Sequence, residues 1–241
     1  ALCQGLFLTN NVTFIAINGL VGLALAPYGW MATLPVMGYV VGGALSTSLV
    51  ARTQSAYGRK TSFQLGLVVA LLSALLCAYA AFSRNFWLLC AATVVAGYYN
   101  ANAQLYRFAA AELAPPGGHE KAVSLVMAGG LIGAVVGPNL AARTRTLMDV
   151  PFAGAYIALA VVALLAMVTL HFIQFPPAPV KKMGSGGGRP LREIMKQPVF
   201  IVAAASGALS YGVMNLLVAA TPLAMQQCGL PFSDAALVLE W

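Results

Sequence analysis

The chain of 241 residues is 60 % hydrophobic and only 8 % charged, and it carries a formal net charge of +7. A composition this apolar excludes an ordinary soluble domain. The positive charge does not indicate nucleic-acid binding either, because no basic run is interleaved with a foldable soluble domain. We therefore predict a membrane protein without a nucleic-acid partner.

Seven apolar stretches follow one another along the chain, and the 13 lysines and arginines lie between these stretches or at their ends. A helix needs about 20 mostly apolar residues to cross a hydrocarbon core about 30 Å thick, and each stretch reaches that length. The sequence therefore predicts an all-α fold, a polytopic membrane helical bundle in the lipid bilayer. The predicted helices cover residues 5–28, 30–50, 62–83, 86–111, 122–142, 152–175 and 198–226.

The connection between the sixth and seventh stretches combines prolines, a glycine-rich run and five basic residues, a composition typical of a linker. We predict an N-terminal six-helix transmembrane bundle at 1–174, a cytoplasmic linker at 175–197 and the start of a C-terminal bundle at 198–241. Residues 190–195 fit a short amphipathic helix on the membrane surface and a solvated part of the linker equally well.

The last residues resemble the start of another helix, with Ser233 as its N-cap. Too few residues follow before Trp241 to cross a bilayer. The chain also lacks an initiator Met, so we expect a longer protein that has been truncated in its eighth helix.

Lysines and arginines are distributed unevenly between the two sides of the predicted bundle. Ten lie in connections on one side, and only Arg84, Arg143 and Arg145 lie on the other. Because positively charged loops stay on the cytoplasmic side, the charge distribution predicts a cytoplasmic N-terminus in an inner membrane.

The residue types that carry metal or catalytic chemistry are isolated in the sequence. The four cysteines are scattered through apolar stretches and form no CxxC or Cys/His cluster, so they predict no metal, disulfide or cofactor. His119 and His171 stand alone at helix ends, and the sequence has no His/Asp/Glu cluster. An enzyme is therefore not predicted.

The connection after the second stretch, residues 51–60, reads ARTQSAYGRK. It resembles the signature loop of the major facilitator superfamily, G-x-x-x-D-R-x-G-R-K, at Gly58, Arg59 and Lys60. The family has Gly, Asp and Arg at three positions where this chain has other residues, namely Ala51, Ser55 and Ala56.

Two further segments strengthen this resemblance, and two others are similar to a subgroup of the family. Glu112, followed by two prolines and Lys121, is similar to the family's acid–Pro–basic loop between helices 4 and 5. Residues 211–215 and 221–225 are similar to a bacterial permease subgroup. In helix 5 the pattern G-x-x-x-G-x-x-x-G-P resembles a motif associated with antiporters, and its members are Gly129, Gly133, Gly137 and Pro138.

The resemblance implies a major-facilitator-like fold in which helices 1, 4 and 7 line the cavity. It also implies that the signature loop interlocks with the loop after helix 4, so we expect Arg59 to pair with Glu112 across the cytoplasmic mouth. The predicted cytoplasmic gate therefore consists of Gly58, Arg59, Lys60 and Glu112.

The helix 5 glycines, spaced four apart, allow another backbone to approach closely, because packing drives helix association in lipid. They either pack within one bundle or meet the other bundle, where the helices would slide or rock. Pro138 removes a backbone donor and is expected to bend the helix.

Polar side chains recur on one face of helices 1, 4 and 7. Polar groups in hydrocarbon are costly, so such stripes should face a cavity or one another. Interhelical hydrogen bonding would explain a single amide, whereas three stripes favour one water-lined path for a small-molecule solute. The predicted substrate-binding residues are Asn11, Asn18, Asn102, Tyr106, Tyr211 and Asn215.

We predict an alternating-access secondary transporter (permease) for a small, mostly uncharged or zwitterionic organic solute, because the stripes hold amides and tyrosines. No Asp or Glu lies in the middle of helices 1–7, so either a coupling group such as Glu240 lies in helix 8 or transport is uncoupled. The alternative is a structural or assembly subunit of the same fold, bound to a larger membrane complex without transport activity.

The charge distribution makes a topology prediction. Single cysteines placed at Trp30 and Asn85 should react with an impermeant thiol reagent added outside intact cells. Cysteines at Gly58 and Gly186 should react only after the membrane is opened. Labelling of the Gly186 position from outside would reverse the predicted orientation.

Overall fold

The structure is a computed structural model that describes residues 1–115, 117–145, 147–148, 150–175, 191–231, 234–235 and 237–238. The described part of the chain is helical and contains no strand, which confirms the predicted all-α fold. Its helices are α1 (Leu2–Leu25), α2 (Leu34–Phe82), α3 (Phe86–Ala103), α4 (Tyr106–Leu113), α5 (His119–Thr144), α6 (Ala153–His171), α7 (Leu191–Met195) and α8 (Pro198–Gln227), with a 3-10 turn at Gly29–Met31.

Five of the described helical segments are long and apolar enough to cross a membrane. One of them, Gly29–Phe82, has 54 residues, or about 80 Å of helix, which exceeds twice the roughly 30 Å of one crossing. It therefore has the length of two predicted spans. α3 is not among the five, because its asparagines and tyrosines dilute its apolar residues.

The second and third predicted helices form α2, which folds back at Gly58. Gly58 has φ 80° and ψ 168°, a conformation that residues with a Cβ rarely adopt. The hydroxyls of Thr53 and Ser62 lie 3.0 Å apart, whereas nine residues of straight helix would separate them by about 13 Å. The predicted loop is instead helical up to Gly58, because its alanines, arginine and glutamine favour helix.

The fourth predicted helix is interrupted at Gln104 and Leu105, which separate α3 from α4. The Leu105 N–H donates to the Asn102 carbonyl at 3.1 Å. This bond spans three residues, as in a 3-10 turn, and tightens the chain there. The single span predicted at 86–111 is therefore two consecutive helices.

α1 lies at the centre of the described bundle and packs against α2, α3, α5, α6 and α8. Ring contacts hold it at two levels: the ring centroid of Phe14 lies 4.9 Å from that of Tyr39, and Phe7 lies 5.6 Å from Tyr99. Such aromatic pairs add stabilisation beyond the area that they bury. α1 is consequently buried over most of its length.

α5 approaches α1 closely through its glycines. A Cβ on Gly133 would lie 2.0 Å from the Gly5 carbonyl oxygen, and Gly129 and Gly137 also face α1. Pro138 is buried beside them in the same helix. The motif thus packs against α1, a helix that the sequence assigns to the same N-terminal bundle.

The first part of α2 crosses α3 in the same manner. A Cβ on Gly42 would lie 2.1 Å from the Val94 carbonyl oxygen, and one on Gly97 would lie 2.2 Å from the Gly43 nitrogen. Close glycine contacts thus pair α1 with α5 and α2 with α3.

α7, at Leu191–Met195, agrees with the helical alternative for the segment before α8. Several sequence expectations fall outside the described residues. These are the remainder of the linker at 176–190, the labelling position Gly186 in it, the proposed N-cap Ser233 and Glu240.

We predict that Gly133→Ala destabilises the protein, because the added Cβ would collide with the Gly5 carbonyl and push α1 from α5. The expected loss of unfolding free energy is about 1–3 kcal/mol, as for other overpacked interiors, measured as a lower melting temperature. Gly207→Ala in α8 is the matched control, since no atom of the described residues lies within 4 Å of its added Cβ. Equal melting temperatures for the two variants would contradict the close contact.

Candidate functional site

Seven buried side-chain nitrogen and oxygen atoms have no hydrogen-bond partner among the described residues. An unsatisfied buried polar atom costs about 1–3 kcal/mol, so these atoms mark positions suited to water or a solute. They are Gln4 Oε1, Asn11 Oδ1, Tyr39 OH, Arg59 Nη1, Asn100 Oδ1, Asn102 Nδ2 and Asn215 Oδ1.

Four of these atoms belong to four different helices, and we call their residues the polar site. The Tyr39 ring centroid lies 4.9 Å from that of Phe14 on α1, and a Cβ on Gly43, one turn further along α2, would lie 3.4 Å from the Asn100 Nδ2. Side chains of α1, α2 and α3 therefore come near one another there. The residues of the polar site are Asn11 of α1, Tyr39 of α2, Asn100 of α3 and Asn215 of α8.

The unpaired atoms that asparagines contribute to the polar site are neutral hydrogen-bond acceptors. The Asn215 Nδ2 donates to the Tyr211 carbonyl at 2.8 Å, which orients the amide and leaves its Oδ1 unpaired. The Asn11 and Asn100 atoms without partners are also amide oxygens. A neutral molecule with N–H or O–H donors could satisfy these oxygens.

Asn18 has a different environment from Asn11, although both were predicted to bind solute. Its Nδ2 donates to the Phe14 carbonyl at 2.7 Å, and its Oδ1 accepts from the Tyr156 hydroxyl at 2.9 Å. The side chain is completely buried. Its amide therefore links α1 to α6 inside the bundle and has both ends bonded.

Asn102 and Tyr106 also make contacts within the first bundle. The Asn102 Oδ1 accepts from the Ser62 hydroxyl at 3.1 Å, and only its Nδ2 is unpaired. The Tyr106 ring centroid lies 4.9 Å from that of Phe63. Both residues thus join α2 to the α3–α4 segment. Of the six residues predicted to bind solute, Asn11 and Asn215 belong to the polar site, and Tyr211 lies one helical turn before Asn215.

Tyr39 and Asn100 are the members of the polar site that were absent from the predicted binding residues. Tyr39 is an isolated tyrosine in an apolar stretch, and its sequence neighbours carry no signal of a cavity. Asn100 lies one helical turn before Gln104, on a polar face of the fourth stretch. That face was a signal that could have identified it.

The predicted gate residues lie together at the turn of α2. Arg59 donates to Glu112 in an ion pair. The Lys60 ammonium donates to the His171 carbonyl at 2.8 Å, at the C-terminal end of α6, where a cation is favoured. Gly58 forms the turn itself, so these contacts hold the turn against α4 and α6.

A neutral hydrogen-bond network lies beside this turn. The Thr53 hydroxyl lies 3.0 Å from the hydroxyls of both Ser62 and Tyr98. Ser62 in turn donates to Asn102, so the network joins both parts of α2 to α3. We call the residues Thr53, Ser62, Tyr98 and Asn102 the hydroxyl–amide network.

Metal chemistry has no candidate site in the described residues, where no group of three or more His, Cys, Asp or Glu could hold an ion. The four cysteines are free thiols.

Comparison with known sequences covers the whole chain. The sequence model of the Major Facilitator Superfamily matches residues 1–239. The chain is 36 % identical over 244 aligned positions to the riboflavin transporter RfnT of Brucella anthropi, which covers 100 % of this chain and 61 % of that protein. The chain thus spans about three-fifths of the length of that relative.

The fold is similar to that in the crystal structure of a D-xylose-proton symporter, with a TM-score of 0.68 over 99 % of this chain and 63 % of the other. The identity is 16 %, so this likeness shows the fold alone. Superfamily members are carriers, which agrees with the prediction that the chain is not an enzyme. The family match over nearly its full length shows that the chain belongs to the Major Facilitator Superfamily of multi-pass membrane transporters.

Proposed function

We propose that the protein works as an alternating-access carrier for a small, neutral or zwitterionic organic solute with an aromatic part. The observation that carries this proposal is the polar site, whose unpaired atoms come from four helices and bear no charge. An uncompensated charge would be costly in this interior, whereas neutral donors would satisfy the amide oxygens. Tyrosine rings nearby offer stacking area for an aromatic solute.

Riboflavin, or a related flavin, is the first solute to test, because the curated relative is named a riboflavin transporter. Riboflavin is neutral and joins a flat aromatic ring system to a hydroxylated chain. In this proposal its hydroxyl groups donate to the amide oxygens of Asn11 and Asn215, and its rings stack beside Tyr211.

The proposal includes an arrangement in the membrane. Residues 1–174 form the N-terminal bundle, 175–197 the cytoplasmic linker and 198–241 the start of the second bundle, with a cytoplasmic N-terminus in a bacterial inner membrane. The uneven distribution of lysine and arginine supports this orientation. We favour a carrier over a structural subunit because the family model is that of a transporter superfamily and the relative compared above is named a riboflavin transporter.

We predict that Asn11→Leu and Asn215→Leu each reduce riboflavin uptake by the full-length protein in vesicles to about a tenth. Losing one buried hydrogen bond of about 1–3 kcal/mol accounts for that factor. Asn139→Leu is the matched control, since Asn139 is exposed on α5. Normal uptake in both site variants would overturn the polar site. Absence of riboflavin uptake in the wild type would overturn the solute assignment.

The proposed gate predicts a charge-swap result. Arg59→Glu and Glu112→Arg should each slow uptake, and the double variant should recover most of the lost rate. Arg59 is 30 % and Glu112 is 54 % exposed, so the pair contributes at most about 1 kcal/mol to stability. Melting temperatures should consequently change little. A double variant no faster than the single variants would exclude a gating role for the pair.

A further inference from the structure

A cavity lies at the end of the bundle opposite the Gly58 turn. Its volume is about 540 Å³, within the roughly 300–1,000 Å³ of small-molecule sites. It lies between the C-terminal ends of α1 and α8 and the start of α6, and its walls include Leu20, Val21 and Pro222. None of its lining residues belongs to the polar site, so it is a separate place.

Two of the three arginines on this side of the bundle line the cavity. They are Arg84, after α2, and Arg145, after α5. The Arg145 guanidinium carbon lies 5.2 Å from the centroid of the Phe152 ring, a cation–π contact that orients the side chain. The Arg84 side chain makes no hydrogen bond or ion pair with any described residue.

The backbone adopts an uncommon conformation at two residues that line the cavity. Among the described residues, Arg84 (φ 50°) and Phe152 (φ 67°) are the non-glycine residues with positive φ, and both line the cavity. Residues with a Cβ adopt such angles at an energetic cost. The fold thus holds Arg84 and Phe152 at the border of the cavity in strained backbone conformations.

We propose that this cavity binds an organic anion with an apolar body. Guanidinium groups form strong, paired hydrogen bonds to carboxylates and phosphates, and Arg84 and Arg145 would hold that group. The apolar part of the ligand would lie on Leu20, Val21 and the Phe152 ring. This site is independent of the proposed solute, because a neutral flavin has no anionic group for the two arginines.

The test compares 2-naphthoate with its neutral counterpart 2-naphthamide, titrated calorimetrically into the full-length protein in phosphatidylcholine nanodiscs. We expect naphthoate to bind about tenfold more tightly than naphthamide, as charge-assisted hydrogen bonds imply. Arg84→Gln and Arg145→Gln should each remove most of that difference and leave naphthamide binding unchanged. Arg84→Lys and Arg145→Lys retain the charge and should retain part of the preference, which separates charge from loss of structure.

Arg143→Gln is the matched control, because Arg143 is exposed at the end of α5 and does not line the cavity. Equal binding of the two probes, or an equal loss in the Arg143 variant, would overturn the proposal. This test does not measure riboflavin uptake. A failure of the proposed carrier function would therefore be distinguishable from a failure of the proposed anion site.

The same acidic group could come from a soluble compound or from the head group of an anionic phospholipid. Nanodiscs containing phosphatidylglycerol separate these two sources. If the head group occupies the cavity, naphthoate affinity will fall more in the wild type than in the Arg84→Lys variant. An equal change in both proteins identifies a soluble anion as the ligand.

Discussion

The close approach of α1 and α5 at Gly5 and Gly133 is the contact on which this bundle depends. In lipid, two apolar helices gain little from the hydrophobic effect, so their association relies on packing at short range. The absence of side chains at these positions lets the backbones meet, and Gly42 and Gly97 do the same for α2 and α3. α1 is therefore enclosed, and its polar side chains must find partners inside the protein.

Those partners are available on some faces of α1 and not on others. The Asn10 Nδ2 donates to the Leu159 carbonyl at 3.3 Å, and the Thr13 hydroxyl donates to the Gly137 carbonyl at 2.7 Å. Asn11, between them in sequence, has an unpaired oxygen. Successive residues point about 100° apart around a helix, so neighbouring amides can serve different purposes. Asn10 links α1 to α6, whereas the Asn11 oxygen has no partner among the described residues.

The two ends of the bundle use charge in different ways. At the Gly58 turn, Arg59 and Lys60 are bonded to groups on α4 and α6. The superfamily signature has Asp at the position of Ser55, whose hydroxyl bonds here to the Arg52 carbonyl. The neutral hydroxyl–amide network joins α2 to α3 beside this position. At the opposite end, arginines line a cavity instead of closing a turn.

The sequence by itself determined the all-α type of the fold, because a hydrocarbon core accepts only long apolar helices with their charges at the ends. The family resemblance also predicted the pairing of Arg59 with Glu112. The break between α3 and α4 was not predictable, since Gln104 and Leu105 are ordinary helix formers.

Only the tertiary structure decided which polar residues have partners. Helical periodicity places Asn11 and Asn18 on one face, but it does not show which neighbouring helix that face meets at each level. Tyr156 of α6 satisfies Asn18 across 138 residues of sequence, whereas no described group satisfies the Asn11 oxygen. The glycine motif likewise predicted a close helix contact but did not identify the helix that α5 contacts. Packing depends on the surfaces of two helices, and the spacing of residues in the sequence describes only one of them.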